Sequence, residues 1–133
     1  MRLGRDGTSS IEFAIVAVVF FNIIFATMDL GRYFITQHSL RTLTSELIRA
    51  TMVQCVGNTA ACQLNGANVT AAEAKAPFLA AANFAATPTA TRSAADTNGV
   101  MTITASASYA FQFVFPVFSG LNGNITDAIQ LSY

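Results

Sequence analysis

From Ile11 to Met28 the chain reads IEFAIVAVVFFNIIFATM, apolar on every side of a helix and broken only by Glu12, Asn22 and Thr27. A helix over this run rises about 27 Å, against a bilayer hydrocarbon core about 30 Å thick, so the pattern predicts one membrane-spanning helix. No proline lies between Thr8 and Met52, and Gly31 is the only glycine there, so the helix has no reason to stop at the membrane edge. Beyond Met28 the pattern becomes one-sided. Leu30, Tyr33, Phe34, Gln37, Leu40, Thr44, Leu47, Ile48, Thr51 and Met52 recur at helical spacing, with Arg32, Ser39, Thr42, Glu46 and Arg49 opposite. Together the two halves predict a single helix of about 45 residues and about 65 Å.

Thr70 to Glu73 has capping-box spacing and is expected to open a second helix through AEAKAPFLAAANFA, with Pro77 either kinking it or starting its second half. Ala85 to Gly99 lacks periodic apolar positions and reads as an exposed connection. The period then switches to two. Met101, Ile103, Ala105, Ala107, Tyr109 and Phe111 alternate with Thr102, Thr104, Ser106, Ser108 and Ala110, as in a strand buried on one face. Ile125, Ile129, Leu131 and Tyr133 alternate with smaller or polar residues and predict a partner strand, a pattern that Asp127 interrupts. Between them FVFPVFSGLNGN carries Pro116, Gly120 and Gly123 and reads as a turn-rich loop, its phenylalanines packed on the long helix.

The fold class predicted is α+β: a long N-terminal helix, membrane-spanning over 8–28 and amphipathic over 29–52, followed by a small extracytoplasmic domain over 53–133. That domain is expected to hold a second helix and a C-terminal antiparallel β-hairpin.

Composition strengthens the membrane reading. Of 133 residues 53% are hydrophobic and only 11% charged, well below the roughly one quarter usual in soluble domains. Seven Lys and Arg balance seven Asp and Glu, leaving no electrostatic footprint for nucleic acid. Arg2, Arg5 and the initiator amine face Asp6 before the apolar run, whereas Asp29 and Arg32 cancel after it, so the positive-inside rule places the N-terminus in the cytoplasm. The remainder is then periplasmic. A secretory signal peptide would share the charged start and apolar middle, but Glu12 and Asn22 interrupt it and Ile24-Phe25-Ala26 is a poor cleavage site. A buried core helix would need a larger surrounding core than this chain supplies.

Cys55 and Cys62 are the only cysteines and follow the predicted helix end on the oxidising side, so a structural disulfide is expected. Two thiols with the single histidine, His38, do not complete a zinc shell, and no metal or other cofactor is expected. Catalysis is not expected either. Beyond Met28 the carboxylates Asp29, Glu46, Glu73, Asp96 and Asp127 are scattered, His38 reads as a solvated side chain, and GLNG lacks the setting of a phosphate cradle.

The junction GTSSIEFAIV places Gly7, then four residues, then Glu12 and Phe13 before the apolar run. It resembles a type IV prepilin-type processing site, and with Met28-Asp29-Leu30-Gly31-Arg32-Tyr33 just past the membrane it resembles the TadE-like minor pilins, or pseudopilins, of tight adherence (Tad) pilus systems. The likeness covers the N-terminal forty residues well and the C-terminal half more loosely. It implies that residues 1–7 are a leader removed by prepilin peptidase between Gly7 and Thr8, with Phe13 part of the recognised junction and Glu12 fifth in the mature chain. It also implies other pilins and pseudopilins as partners through the N-terminal helix.

Physical chemistry gives the motif content. A carboxylate at the apolar end of a membrane helix is expensive unless paired, and the new amine on Thr8 would lie one helical turn from Glu12. A hydrated Glu12 at headgroup level is the simpler alternative. Two other functions stay open at this point: a single-pass scaffold or sensor binding envelope partners, which keeps its first residues, and a secreted binding domain released by signal peptidase.

Overall fold

The computed structural model describes residues 5–57 and 60–133, with side chains described from Ser9 onward. Helix α1, Arg5–Gln54, runs 50 residues without a break, a length of about 75 Å. Residues 1–4 of the expected leader and the side chain of Thr8 lie outside the described residues.

The outer half of α1 buries one line of side chains: Asp29, Thr36, Ser39, Leu40, Leu43, Thr44, Leu47, Ile48 and Thr51. Steps of three and four residues keep them on one face. This face differs in phase from the expected one near the membrane end, where Leu30 and Phe34 are exposed while Asp29, Thr36 and Ser39 turn inward. The reason is that the inward polar groups have partners. The Thr36 hydroxyl donates to the Arg32 carbonyl and Thr51 to that of Leu47, at 2.9 and 2.8 Å, so their methyls pack without an unsatisfied oxygen.

Past α1 the chain turns through Gly57, whose φ of 75° suits a residue without a Cβ. Strand β1, Cys62–Gln63, leads into helix α2, Gly66–Glu73. The Asn65 side chain caps α2 by accepting from the Asn68 N–H at 2.9 Å. The Gln54 side chain binds the same corner, donating to the Gln63 carbonyl and accepting from Asn65 N–H and Asn68 Nδ2. The helix expected to open at Thr70 therefore opens earlier and is over by Glu73. Thr70 lies inside it, its hydroxyl spent on the Gly66 carbonyl, and is no cap. Around Pro77 the chain makes turns, with Leu79 N–H bonded to the Ala76 carbonyl.

Strands β2 (Phe84–Arg92), β3 (Thr102–Phe111) and β4 (Gly123–Ser132) complete an antiparallel sheet in the order β1-β2-β3-β4. The C-terminal hairpin pairs Ile103 with Leu131, Ala105 with Ile129 and Tyr109 with Ile125. Strand β2 corrects the expected connection over Ala85 to Gly99, of which only the part after Arg92 is a turn. Its inward positions are Pro88, Ala90 and Arg92, too small or too polar to show as a hydrophobic alternation. Its register shifts between Phe84 and Thr89, and such irregularity accommodates a proline that cannot donate to a ladder.

One face of the sheet packs on α1. Ala90, Ala105 and Ala107 are buried beside Ile103, Tyr109, Leu43 and Leu47, so small side chains line the sheet where the helix crosses it. The opposite face is polar, with Thr89 against Ser106 and Thr102 against Ser132 at 3.2 Å. Asp127, which breaks the β4 pattern in sequence, pairs across from Ala107 and accepts a hydrogen bond from the buried Thr44 hydroxyl.

Candidate functional site

The domain clasps only the outer half of α1. Among the described residues α1 is the one helix long and apolar enough to cross a membrane, and its most apolar window has no buried residue. Ile11, Phe13, Val16, Phe20, Ile23 and Phe25 all stand exposed. A surface of this size and uniformity needs lipid or other helices around it.

The polar groups within this stretch are satisfied by the helix itself. Asn22 Nδ2 donates to the Val18 carbonyl at 2.6 Å and the Thr27 hydroxyl to that of Ile23 at 2.7 Å. Neither side chain then needs water, which suits a low-dielectric surrounding.

Glu12 is exposed on α1, and no side chain among the described residues forms an ion pair with it. Phe13 is 75% exposed, free of the domain. Gly7 and Thr8 belong to the same continuous helix by backbone, and Thr8 stands four residues before Glu12. In an α-helix residues so spaced face each other across one turn.

Where the exposed helix meets the domain, Asp29 is 3% exposed and holds two partners. Arg32 Nη1 lies 2.7 Å from Oδ1, and the Phe115 backbone N–H donates to Oδ2 at 2.9 Å. Arg32 also lies over the Phe111 ring, 5.6 Å from its centroid. Around this point Tyr33, Phe111, Phe113, Phe115 and Phe118 form a chain of ring contacts at 5.0 to 5.9 Å. The expected packing of the loop's phenylalanines on the helix is therefore present, and its anchor is a carboxylate. Sequence reasoning used Asp29 and Arg32 for charge balance and for the Met28–Tyr33 resemblance and gave neither a packing role; an aspartate at the end of the apolar run was the available signal.

At the far end of α1, Cys55 and Cys62 are joined, with Cα atoms 6.1 Å apart. Beside the bridge is a residue that sequence reasoning missed. Arg92 is 4% exposed and donates to the Cys55 and Ala60 carbonyls at 2.6 and 2.9 Å. A cation here satisfies carbonyls left over where the helix ends and complements its negative pole. Among the described residues no group of His, Cys, Asp or Glu is arranged to hold a metal ion.

A helix that is apolar all round for the length of a bilayer serves, over its outer half, as the spine of an α+β domain. Residues 7–49 match the family model described as TadE-like protein, the family that the Gly7–Phe13 and Met28–Tyr33 motifs resemble. The match begins at Gly7 and ends within α1, so the sheet lies outside it. Comparison with curated proteins gives no match, and neither does comparison with solved structures.

Proposed function

We propose that the chain is a minor pilin or pseudopilin that takes part in assembling or initiating a Tad-type adhesion pilus. The observation that carries this reading is the exposed apolar half of α1, continuous with the helix that bears the domain and lying within the matched residues. Such a helix can pass from lipid into a bundle of similar helices without refolding, because both surroundings satisfy the same apolar surface. Leu30, Phe34 and Ile35 are exposed too, so the apolar surface continues beyond the membrane end toward a neighbouring helix.

In this reading prepilin peptidase cuts between Gly7 and Thr8 on the cytoplasmic side, Phe13 belongs to the recognised junction, and the domain stands in the periplasm until a pilus forms. Glu12 then meets the new amine of Thr8, in the same chain or an adjacent subunit. The partners are other pilins and pseudopilins through α1, the peptidase and the inner membrane. The role is structural, and the disulfide serves stability.

The test is the mass of the protein recovered from its host envelope. A mature chain beginning at Thr8 is expected. A chain that retains residues 1–7 would leave a membrane scaffold or sensor in its place, and one beginning near Asp29 would point to signal peptidase and a released domain.

A further inference from the structure

We infer that the loop around Pro116 is a second membrane contact, an apolar wedge that rests in the outer interface of the bilayer beside α1. The inference rests on the membrane reading above and adds a surface of the domain to it. Its depth is fixed by the hydrogen bond from Phe115 N–H to Asp29, one residue past the end of the apolar run at Met28. Val114, Phe115 and Pro116 line one cleft together with Asp29 and Arg32 and with Phe25 and Met28 of the apolar run, and Phe25 is a helical turn, about 6 Å along the axis, before Asp29.

What the loop presents there suits lipid. Val114 and Val117 are 76% and 73% exposed, although nearby phenylalanines are folded inward against Tyr33 and one another. No charged residue occurs from Gln112 to Thr126, so a stretch beside the membrane carries no charge to desolvate. Its backbone is largely provided for. Phe113 N–H donates to Asn122 Oδ1, Phe115 N–H to Asp29 and Phe118 N–H to the Phe115 carbonyl, while Pro116 has no N–H. The Ser119 hydroxyl turns back onto the Pro116 carbonyl. Backbone groups paired in this way lose little on leaving water, and the ring contacts hold the valines in place beforehand.

The test uses the full chain in phosphatidylethanolamine–phosphatidylglycerol vesicles whose acyl chains are brominated. The native cysteines are bonded to each other, so a fluorophore can be placed on one introduced thiol at a time in Val114→Cys, Val117→Cys, Phe20→Cys and Ser45→Cys. Bromolipid quenching at both valine sites should reach about half of that at Phe20→Cys and several-fold more than at Ser45→Cys, whatever the protein density. Valine sites as unquenched as Ser45→Cys, with Phe20→Cys quenched, would overturn the wedge and leave the membrane helix standing. An unquenched Phe20→Cys would instead remove the membrane reading and the wedge with it. Shielding of the valine sites from aqueous iodide only at high protein density, without bromolipid quenching, would assign the surface to a second copy and overturn the lipid contact.

Discussion

The backbone N–H of Phe115 donates to Asp29 Oδ2 at 2.9 Å, a bond between residues 86 apart in sequence that ties the C-terminal half of the domain to the end of the apolar run of α1. Asp29 is the second acidic residue of the matched stretch to follow Gly7, after Glu12, and the two differ in kind. Glu12 stands outside the domain's reach, whereas Asp29 is enclosed by it. The domain is thereby held on its helix at both ends, by Asp29 beside the apolar run and by Arg92 and the disulfide at the far end.

Asp29→Ala should lower the stability of the domain by about 2–3 kcal/mol, because a buried N–H and a guanidinium both lose a charged acceptor. Asp29→Asn keeps one acceptor and the shape, and should cost about 1 kcal/mol less than the alanine variant. Denaturant unfolding in detergent, followed by tyrosine signals from the sheet, would measure both. Equal losses for the two variants would show that the retained shape and acceptor are worth little and that the negative charge beside Arg32 is what Asp29 supplies.

The corner beside Cys55 offers a test of coupling. Arg92→Met preserves bulk and removes the donors to the Cys55 and Ala60 carbonyls, for a loss of about 2–3 kcal/mol. Opening the disulfide should cost about 2 kcal/mol by the entropic account of its short loop. Both devices hold the same exit from α1, so the combined loss in Arg92→Met with Cys55→Ala and Cys62→Ala should fall short of the sum by about 0.5 kcal/mol or more. Strict additivity in unfolding measurements would mean that the two act on separate parts of the corner.

Glu46 links α1 to the turn after α2 through Lys75, 2.7 Å away. The hydrogen bond from Lys75, aided by the charges of Lys75 and Arg49, holds the Glu46 carboxyl below its ordinary value of 4.5 in spite of partial burial. A carboxyl lowered on folding contributes stability that is fully present above its unfolded pKa and is lost as pH falls through the lower, folded one. The contribution should therefore fade as the medium is acidified below about pH 4.5, and its whole size should be under about 1 kcal/mol, since Lys75 is half exposed. In Lys75→Met the acid limb of stability against pH should be shallower than in the parent. An unchanged limb would assign acid sensitivity to other carboxylates.

These contacts explain which features could be read in the sequence. The β3–β4 hairpin was legible because Ile103, Tyr109 and Phe111 alternate with threonine, serine and alanine, and a two-residue period has one structural meaning. Strand β2 was hidden because its inward positions are a proline, an alanine and an arginine, each of which has its reason only in a partner elsewhere: Arg92 in the end of α1, Ala90 in the closeness of the helix. The start of α2 was misplaced because two capping sequences compete within a few residues, and Asn65 gains from Gln54 a support that Thr70 lacks. The inward face of α1 was out of phase near Asp29 because hydrophobicity sorts an aspartate outward, whereas the Phe115 N–H and Arg32 satisfy it inside. The site calls for a different kind of reading. Gly7, Glu12 and Phe13 make no packing pattern within this chain, so the spacing of the motif was their only signal, and it is that stretch which the family model matches.

Glu12 and Gly7 should act at separate steps. In the proposed processing, glycine at position 7 would let the following peptide bond enter a narrow peptidase cleft, so a bulky replacement there should leave an uncut chain. Glu12 lies beyond that bond, and its proposed partner is an amine that exists only once the bond is broken. Glu12→Gln should therefore be cut at close to the parent rate and recruited poorly into pili. The physical ground is the cost of an unmatched charge. Within a cluster of apolar helices a lone amine or carboxylate costs several kcal/mol, so a neighbour that brings the two together is favoured over one in the wrong register, and glutamine keeps the size of the side chain while losing that discrimination. Mature mass and counted pili from cells carrying each variant separate the steps. If Glu12→Gln cells carry normal pili, the carboxylate is a hydrated bystander at headgroup level; if the variant stays uncut, its part lies in processing alongside Gly7 and not in the register of the assembled helices.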